Sequence, residues 1–574
     1  MGSNILTISD IYPDNKIKIY MGDFRKNAGI VGLVFLLKTV EAKENKDYGI
    51  SDEYLWLDYE YAVNRDWTDD YFKACILYFE EDVSYGEVIS SIDFLLEYIA
   101  NDKKTENKTE TIKQQLDFIN KKIFASSIKN GMESIQDETD ISVYKDFEKN
   151  KLNIKTENKV LLDSLALLKE FLTQSSVKET FIMKNVIYNY INKIWDGISF
   201  LKRENAKKDM RQVFKEKFVS PLMEFWTSEQ KKSDNFCIDC GKNIESKGVP
   251  ITFMVGTADD LGKKTSSFWN FKPDSYLCPE CAFVYALAPM GFSVMDDNLI
   301  FVNTSDSIKS LIDSNSETSA TKTKLNKVLE DKKNPWHERV MNLILQENYN
   351  QGLNNIQVIT KGISETGKYS FIVINKEILK IFENLTVQME LLAKTPVYKI
   401  NNEFLNIYNI ALDNIFNYRK QYYLVNYLIR NSLNTESSIL NYPASLIFDI
   451  ENCRYVMRKL KPKDKEGKEM SEYTNDMNLN GTKLRKALKK NITGNFDDNM
   501  RGTVYQLLNA LSVKNSRRFL DIVIRLYCSC QIPIPDGFAE MLESTEEFEV
   551  RGYAFLLGLK SDGKVVKKEE TKEA

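Results

Sequence analysis

Apolar and polar positions alternate in the opening stretch "KIKIYMGDFRKNAGIVGLVFLLK" from Lys16, then fuse into a continuous apolar run. The pattern predicts a short strand, a loop with Gly22, Asp23 and Asn27, and an apolar helix from about Ala28. A second alternation, "YLWLDYEY" at 54–61, predicts another strand. After the polar insert "NDKKTENKTE" at 101–110, residues 111–230 follow a helical period. Strand-like runs return at 250–255 ("PITFMV"), 299–303 ("LIFVN"), 356–360 ("IQVIT") and 369–374 ("YSFIVI"). Residues 305–334 are rich in Ser, Thr, Lys and Asp and read as a linker or a solvated helix. From about Lys376 the strand signals vanish and long helical patterns run to the end, interrupted by a loop at 461–481. The final residues, "DGKVVKKEETKEA", have the composition of a disordered tail.

Cysteine placement adds what periodicity cannot. Four of the eight cysteines form two Cys-x-x-Cys pairs, Cys237/Cys240 in "NFCIDCGKN" and Cys278/Cys281 in "YLCPECAFV". A two-residue spacer lets two thiolates of a tight turn face one ion, and two such turns complete a tetrahedral site. Gly241 and Pro279 suit the turns, one by tolerating an unusual backbone angle and the other by presetting one. The four cysteines are therefore expected to bind one structural Zn²⁺. A redox dithiol, which needs only one pair, and a four-sulfur iron cluster are the competing uses. Between the pairs, Lys263, Lys264 and Lys272 interleave with Phe268, Trp269 and Phe271. Such a loop either stacks on bases while neutralising phosphates or packs its aromatics over the metal site.

Length and charge narrow the class. A chain of 574 residues is long enough for two to four domains. The longest apolar run, "GIVGLVFLL" at 29–37, is half of what a bilayer helix needs, and no basic-then-apolar leader opens the chain. A cytoplasmic protein without a membrane partner is expected. With one histidine in the whole chain, His337, enzyme classes built on imidazole are disfavoured; no phosphate-binding or dinucleotide fingerprint appears either. The net charge of −4 hides an asymmetry: 19 acidic against 7 basic residues from Glu41 to Glu110, and 17 basic against 8 acidic from Asn452 to Cys530. Polyanion binding, if present, is local.

The segment "YMGDFRKNAGIVGL" at 20–33, the two cysteine pairs, and the C-terminal "RRFLDIVIRLYCSC" (517–530) with "RGYAFLLGL" (551–559) together resemble the CXXC-CXXC family of CRISPR-associated proteins. The resemblance implies the large subunit of a type I-B Cascade, the RNA-guided DNA surveillance complex. It further implies a non-catalytic chain that senses the protospacer-adjacent motif, binds the guide RNA 5′ handle and target double-stranded DNA, and supports recruitment of a helicase-nuclease in antiviral defence. Its partners would be the backbone, small and handle-binding subunits. The competing reading is a zinc-containing nuclease using carboxylates and magnesium, for which Asp259-Asp260 and Asp296-Asp297 are the paired acids.

Two basic stretches are the candidate nucleic-acid contacts. Arg25, Lys26 and Asn27 lie just before the expected first helix, where free backbone N–H groups favour phosphate, or where Asn27 simply caps the helix. In "TKLRKALKK", Lys483, Arg485, Lys486, Lys489 and Lys490 have no acidic residue among them, which on a helix spreads positive charge over much of the surface. The expected fold is α+β: a mixed N-terminal region (1–230) with an inserted four-cysteine zinc-binding module (231–304), a second α+β to helical region (335–460), and an all-helical C-terminal bundle (470–574).

Overall fold

A computed structural model describes residues 5–560 except 101–107, 155, 232, 234, 245–247, 257–266, 268–274, 296–297, 305–306, 316–355, 364–367, 401–402, 434–437, 460–471 and 492–495. The chain is mixed α+β, mostly helical, and divides into two compact units, residues 1–336 with 356–371, and 337–355 with 372–574. Among the described residues no helix is long and apolar enough to cross a membrane. Most of the expected linker at 305–334 and the expected tail lie outside the described residues.

The first unit begins with a three-stranded antiparallel sheet in which Tyr54–Asp58 lies between Lys16–Tyr20 and Tyr48–Ile50. Ile17 pairs with Leu57 and Ile19 with Leu55, so the alternating isoleucines and leucines face one core. The following helix, Phe24–Thr39, starts earlier than the apolar pattern predicts. Asp23 is its N-cap, accepting from the backbone N–H groups of Arg25 and Lys26, which places Arg25, Lys26 and Asn27 inside the first turn. Lys26 and Asn27 are buried there, and the cap carries the helix four residues further back than hydrophobicity alone suggests.

This helix packs against the second cysteine pair at near backbone contact. A Cβ added at Gly29 would stand 2.2 Å from the Val284 carbonyl oxygen, and one at Gly32 2.3 Å from that of Leu287. The two glycines of "NAGIVGL" thus let helix Phe24–Thr39 lie directly on helix Pro279–Ala286 and the turn after it. Residues around all four cysteines join the N-terminal sheet and helices in one hydrophobic core. A second core gathers helices Tyr85–Ala100, Lys108–Ile123, Asn158–Thr173 and their neighbours.

Between the cysteine pairs the expected strand at 250–255 is only two residues long. Val249 and Pro250 pair with Leu277 and Tyr276, after which Ile251–Phe253 turn as a 3₁₀ helix. Pro250 lacks the N–H a continuing ladder requires. Farther on, Asn298–Asn303 pairs antiparallel with Ile356–Gly362, flanked by Ser293–Met295 and Tyr369–Ile374 at the two edges.

The second unit is dominated by helices, including Asn441–Lys459, Glu472–Asn491, Phe496–Ser512, Ser516–Cys530 and Thr545–Lys560. Two findings depart from the all-helical expectation after Lys376. Tyr398–Ile400 and Glu403–Leu405 form a small hairpin. Residues 472–481, expected in a loop, begin a helix whose Met477 is fully buried. Gly481 and Gly558 explain that helix: a Cβ on either would meet a carbonyl of the other helix, at 2.2 Å from Phe555 O and 2.0 Å from Asn478 O. Tertiary packing, not local propensity, holds a Gly- and Asn-rich segment helical there.

Candidate metal centre

The four cysteines arrive from two unlike turns. In the first, Cys237 N–H donates to Lys242 O at 2.8 Å and Gly241 N–H to Cys237 O at 3.0 Å. That closure needs Gly241 at φ +71, the left-handed region a glycine enters without strain. In the second, Cys278 caps helix Pro279–Ala286 with its sulfur, which accepts from Cys281 N–H at 3.4 Å, and Pro279 takes the first helical position. Ile238 N–H donates to Tyr276 O at 2.9 Å and stitches the two turns together.

The sulfur atoms converge. All four lie within 4.8 Å of one another, and Cys240 Sγ is 3.7 Å from Cys278 Sγ. A tetrahedron with metal–sulfur bonds of ~2.3 Å has edges of about 3.8 Å, so this separation suits a shared ion. It is too long for a disulfide, and all eight cysteines are free. Cys237, Cys278 and Cys281 are buried and Cys240 is half-buried. Burial pushes the Cys278 thiol well above its ordinary range, so it gives up its proton only in exchange for a bound cation. The cluster is compatible with a structural metal.

Charged groups around the sulfurs are neutralised one by one. Each Cys-x-x-Cys spacer carries an acid. Asp239 is ion-paired at 2.7 Å with Lys26 from helix Phe24–Thr39. Glu280 accepts from Lys242 Nζ at 2.6 Å and from Trp226 Nε1 at 3.0 Å. Burial, the largest single influence, would lower the Lys242 pKa, but Glu280 together with the Tyr12 hydroxyl and the Cys278 sulfur outweighs it and leaves the ammonium well above its usual value. These supports went unread in the sequence. The acid ahead of the last cysteine of each pair, in "IDC" and "PEC", is the trace they leave there.

The remaining predicted contact residues fall into three groups. Arg25, Lys26 and Asn27, expected just before the first helix with Asn27 as its cap, lie inside the first turn of helix Phe24–Thr39, and Asp23 is the cap. Arg25 is clamped by Asp23 and lies beside the rings of Phe24 and Tyr285. Lys26 is buried on Asp239. Asn27 accepts from Gly22 N–H at 2.9 Å and donates to Asn303 Oδ1 at 2.8 Å. In the second group, on helix Glu472–Asn491, Lys483, Lys486, Lys489 and Lys490 are exposed. Arg485 is not on that face: at 2% exposure it makes two 2.8 Å bonds to Asp497 and one of 3.0 Å to Leu559 O. Finally, Lys263 and Lys264 with the aromatics that follow them, His337, and the acid pairs Asp259-Asp260 and Asp296-Asp297 lie outside the described residues.

Residues 230–293, spanning both cysteine pairs, match the family model for a CRISPR-associated protein (Cas_CXXC_CXXC). No curated protein and no solved structure matches the chain. The match supports a CRISPR-related role.

Proposed function

We propose that this chain is the non-catalytic large subunit of a type I-B Cascade, and that Cys237, Cys240, Cys278 and Cys281 hold one Zn²⁺. The observation that carries the reading is the family match over residues 230–293, centred on the cysteine cluster. Four thiolates fill a tetrahedral ion, which leaves no position for a reacting water, so the metal's work is to tie the two turns together. Placed in the core that also holds the N-terminal sheet, the centre ties both turns to that core.

In this reading the protein checks a short duplex motif and the backbone, while guide pairing reads the remaining sequence. The exposed lysines of helix Glu472–Asn491 supply phosphate contacts without base discrimination. Motif sensing, guide-handle binding and helicase-nuclease recruitment belong to the same proposal.

The test is reconstitution. Co-expressed with the other Cascade subunits and a guide RNA from its own host, the chain should co-purify as a stoichiometric member, and omitting it should abolish motif-dependent DNA binding. Failure to assemble, or magnesium-dependent cleavage by the purified chain alone, would reject the reading in favour of another zinc protein of nucleic-acid metabolism.

A further inference from the structure

Of the 11 residues of helix Tyr422–Ser432 in the second unit, eight are buried and three are not: Tyr423, Tyr427 and Arg430. Spaced four and three residues apart, these three form one stripe on the helix surface. The ring before them is an anchor, since Tyr422 stacks on Tyr553 with centroids 5.1 Å apart. Tyr423 points the other way and is 83% exposed. Among the described residues neither Tyr423 nor Tyr427 has a side-chain hydrogen bond, an ion pair or a ring partner.

A second stripe runs beside the first. On helix Phe496–Ser512, Arg501, Tyr505 and Asn509 follow one another at four-residue intervals outside the buried set, with Tyr505 44% exposed. Arg430 joins the two stripes: its Nη2 donates to Asn509 Oδ1 at 2.9 Å, and its guanidinium lies 5.1 Å from the centre of the Tyr505 ring. Beneath them Asn426 Nδ2 donates to Leu508 O at 3.2 Å and holds the helices together. The joint face is tyrosine and arginine on two packed helices.

Its charge is one-sided. Helix Tyr422–Ser432 carries no acid, and in helix Phe496–Ser512 Asp497 and Asp498 are confined to the first turn. Acids that flank these helices are matched by other cations: Asp497 by Arg485, Asp413 by Arg419 at 3.1 Å, and the buried Glu549 by Lys420 and Lys514 at 2.8 and 3.0 Å. Arg430 uses one N–H of its guanidinium on Asn509, which leaves the others for an anion.

We propose that this face binds an unpaired nucleic-acid strand, its bases stacked on Tyr423, Tyr427 and Tyr505 and its phosphates held by Arg430 and Arg501. Tyr423 and Tyr427 are about 6 Å apart along the helix axis, so each serves a different base. Every base has a π-face, so stacking holds a strand without reading its sequence. A duplex keeps those faces inside and offers only edges and backbone. An acidic peptide would meet the arginines but offers the exposed rings nothing flat. The contacts are to bases and phosphates, so DNA and RNA strands are equivalent ligands. The site is distinct from the lysines of helix Glu472–Asn491, which meet phosphate alone, and it belongs to the isolated chain whether or not the Cascade reading holds.

Fluorescence anisotropy on the full-length protein tests it with five probes: an oligothymidylate, an oligouridylate of the same length, a matching DNA duplex, an abasic strand and polyglutamate. The two base-bearing single strands should bind saturably and alike, and each of the other probes about tenfold or more weakly. Tyr423→Ala and Tyr505→Ala should each weaken strand binding about tenfold while leaving its salt dependence unchanged, because they remove stacking and no charge. Tyr423→Trp should keep the affinity, and Arg430→Gln should lower the salt slope. The exposure of Tyr423 makes its variants a small risk to folding. Absence of saturable binding by folded protein, an abasic strand or polyglutamate binding as tightly as the oligothymidylate, binding confined to one sugar, or full affinity in both alanine variants would overturn the proposal. None of these outcomes bears on the reconstitution of Cascade, which depends on the other subunits.

Discussion

Lys26 Nζ sits 2.7 Å from Asp239 Oδ2, so the first turn of the N-terminal helix is ion-paired to the spacer of the first cysteine pair. Both side chains are buried, at 4% and 10% exposure. A lysine read from sequence as a strand contact is instead a brace for the metal-centre turn. Removing one partner strands the other charge in the interior, which costs about 3–5 kcal/mol. Lys26→Ala and Asp239→Ala are each expected to lower unfolding free energy on that scale, while Lys26→Met with Asp239→Leu recovers much of the loss. Denaturant melts of the three variants check this. Equal losses for single and double variants would show that the pair itself is stabilising.

The cysteine cluster makes a compositional prediction. Elemental analysis of the purified chain is expected to find one zinc per molecule and no iron. Cys278→Ser should lose the metal and most solubility, because metal binding and folding are coupled when ligands line a core. Chelation should expose the buried aromatics of the first unit to quenchers. A metal-free protein with an unchanged melting temperature would rule out a structural centre.

How much of this was legible beforehand follows from which interactions leave a mark in one dimension. The Cys237/Cys240 and Cys278/Cys281 pairs did, because thiolate spacing is a local requirement of the ion and convergence follows from it. The alternating strand Lys16–Tyr20 did too, since one face of it is buried. What stayed hidden was set at long range. Arg485 reads as one of five cations on a basic helix, and only the approach of Asp497 and the end of helix Thr545–Lys560 turns it inward. Lys26 and Asn27 read as loop residues because their partners, Asp239 and Asn303, are far along the chain. Helix 472–491 is poor in apolar residues and rich in Asn, so its signal comes from the glycine contact with the last helix.

That division yields opposite outcomes on one helix. Replacing Lys486, Lys489 and Lys490 by Glu should leave stability nearly unchanged, because these side chains are exposed. It should weaken the assembled complex's binding to all DNA targets alike and flatten the dependence of affinity on salt. Arg485→Ala should act the other way, lowering stability by about 2 kcal/mol through loss of its charged bonds to Asp497. Filter binding across a salt series, beside denaturant melts, separates the two. If the triple variant discriminates between target motifs, the lysines are reading bases.

Lys184 offers a test of pH dependence. It is 3% exposed, its stem lies against Gly131, and its ammonium donates to Ala206 O at 3.2 Å. Burial pushes its pKa down from 10.5 to about 8, with Asp209 pulling weakly the other way. Between those two values the unfolded chain binds more protons than the folded one, so stability attributable to this residue rises as pH climbs from about 8 toward 10.5. Below about 8 the whole penalty of the buried charge is present and no longer changes. Lys361 is lowered to about 8 as well, by burial and Lys193, so the wild-type curve alone mixes the two. The difference between wild type and Lys184→Met isolates one of them, since methionine keeps much of the apolar stem and removes the charge. The variant should be the more stable form at neutral pH, by on the order of 1–3 kcal/mol, and the gap should close as the medium is made alkaline. Urea melts of both proteins from neutral pH to about 10 measure it; a gap that widens with pH would mean that Lys184 is charged and favourably paired where it lies.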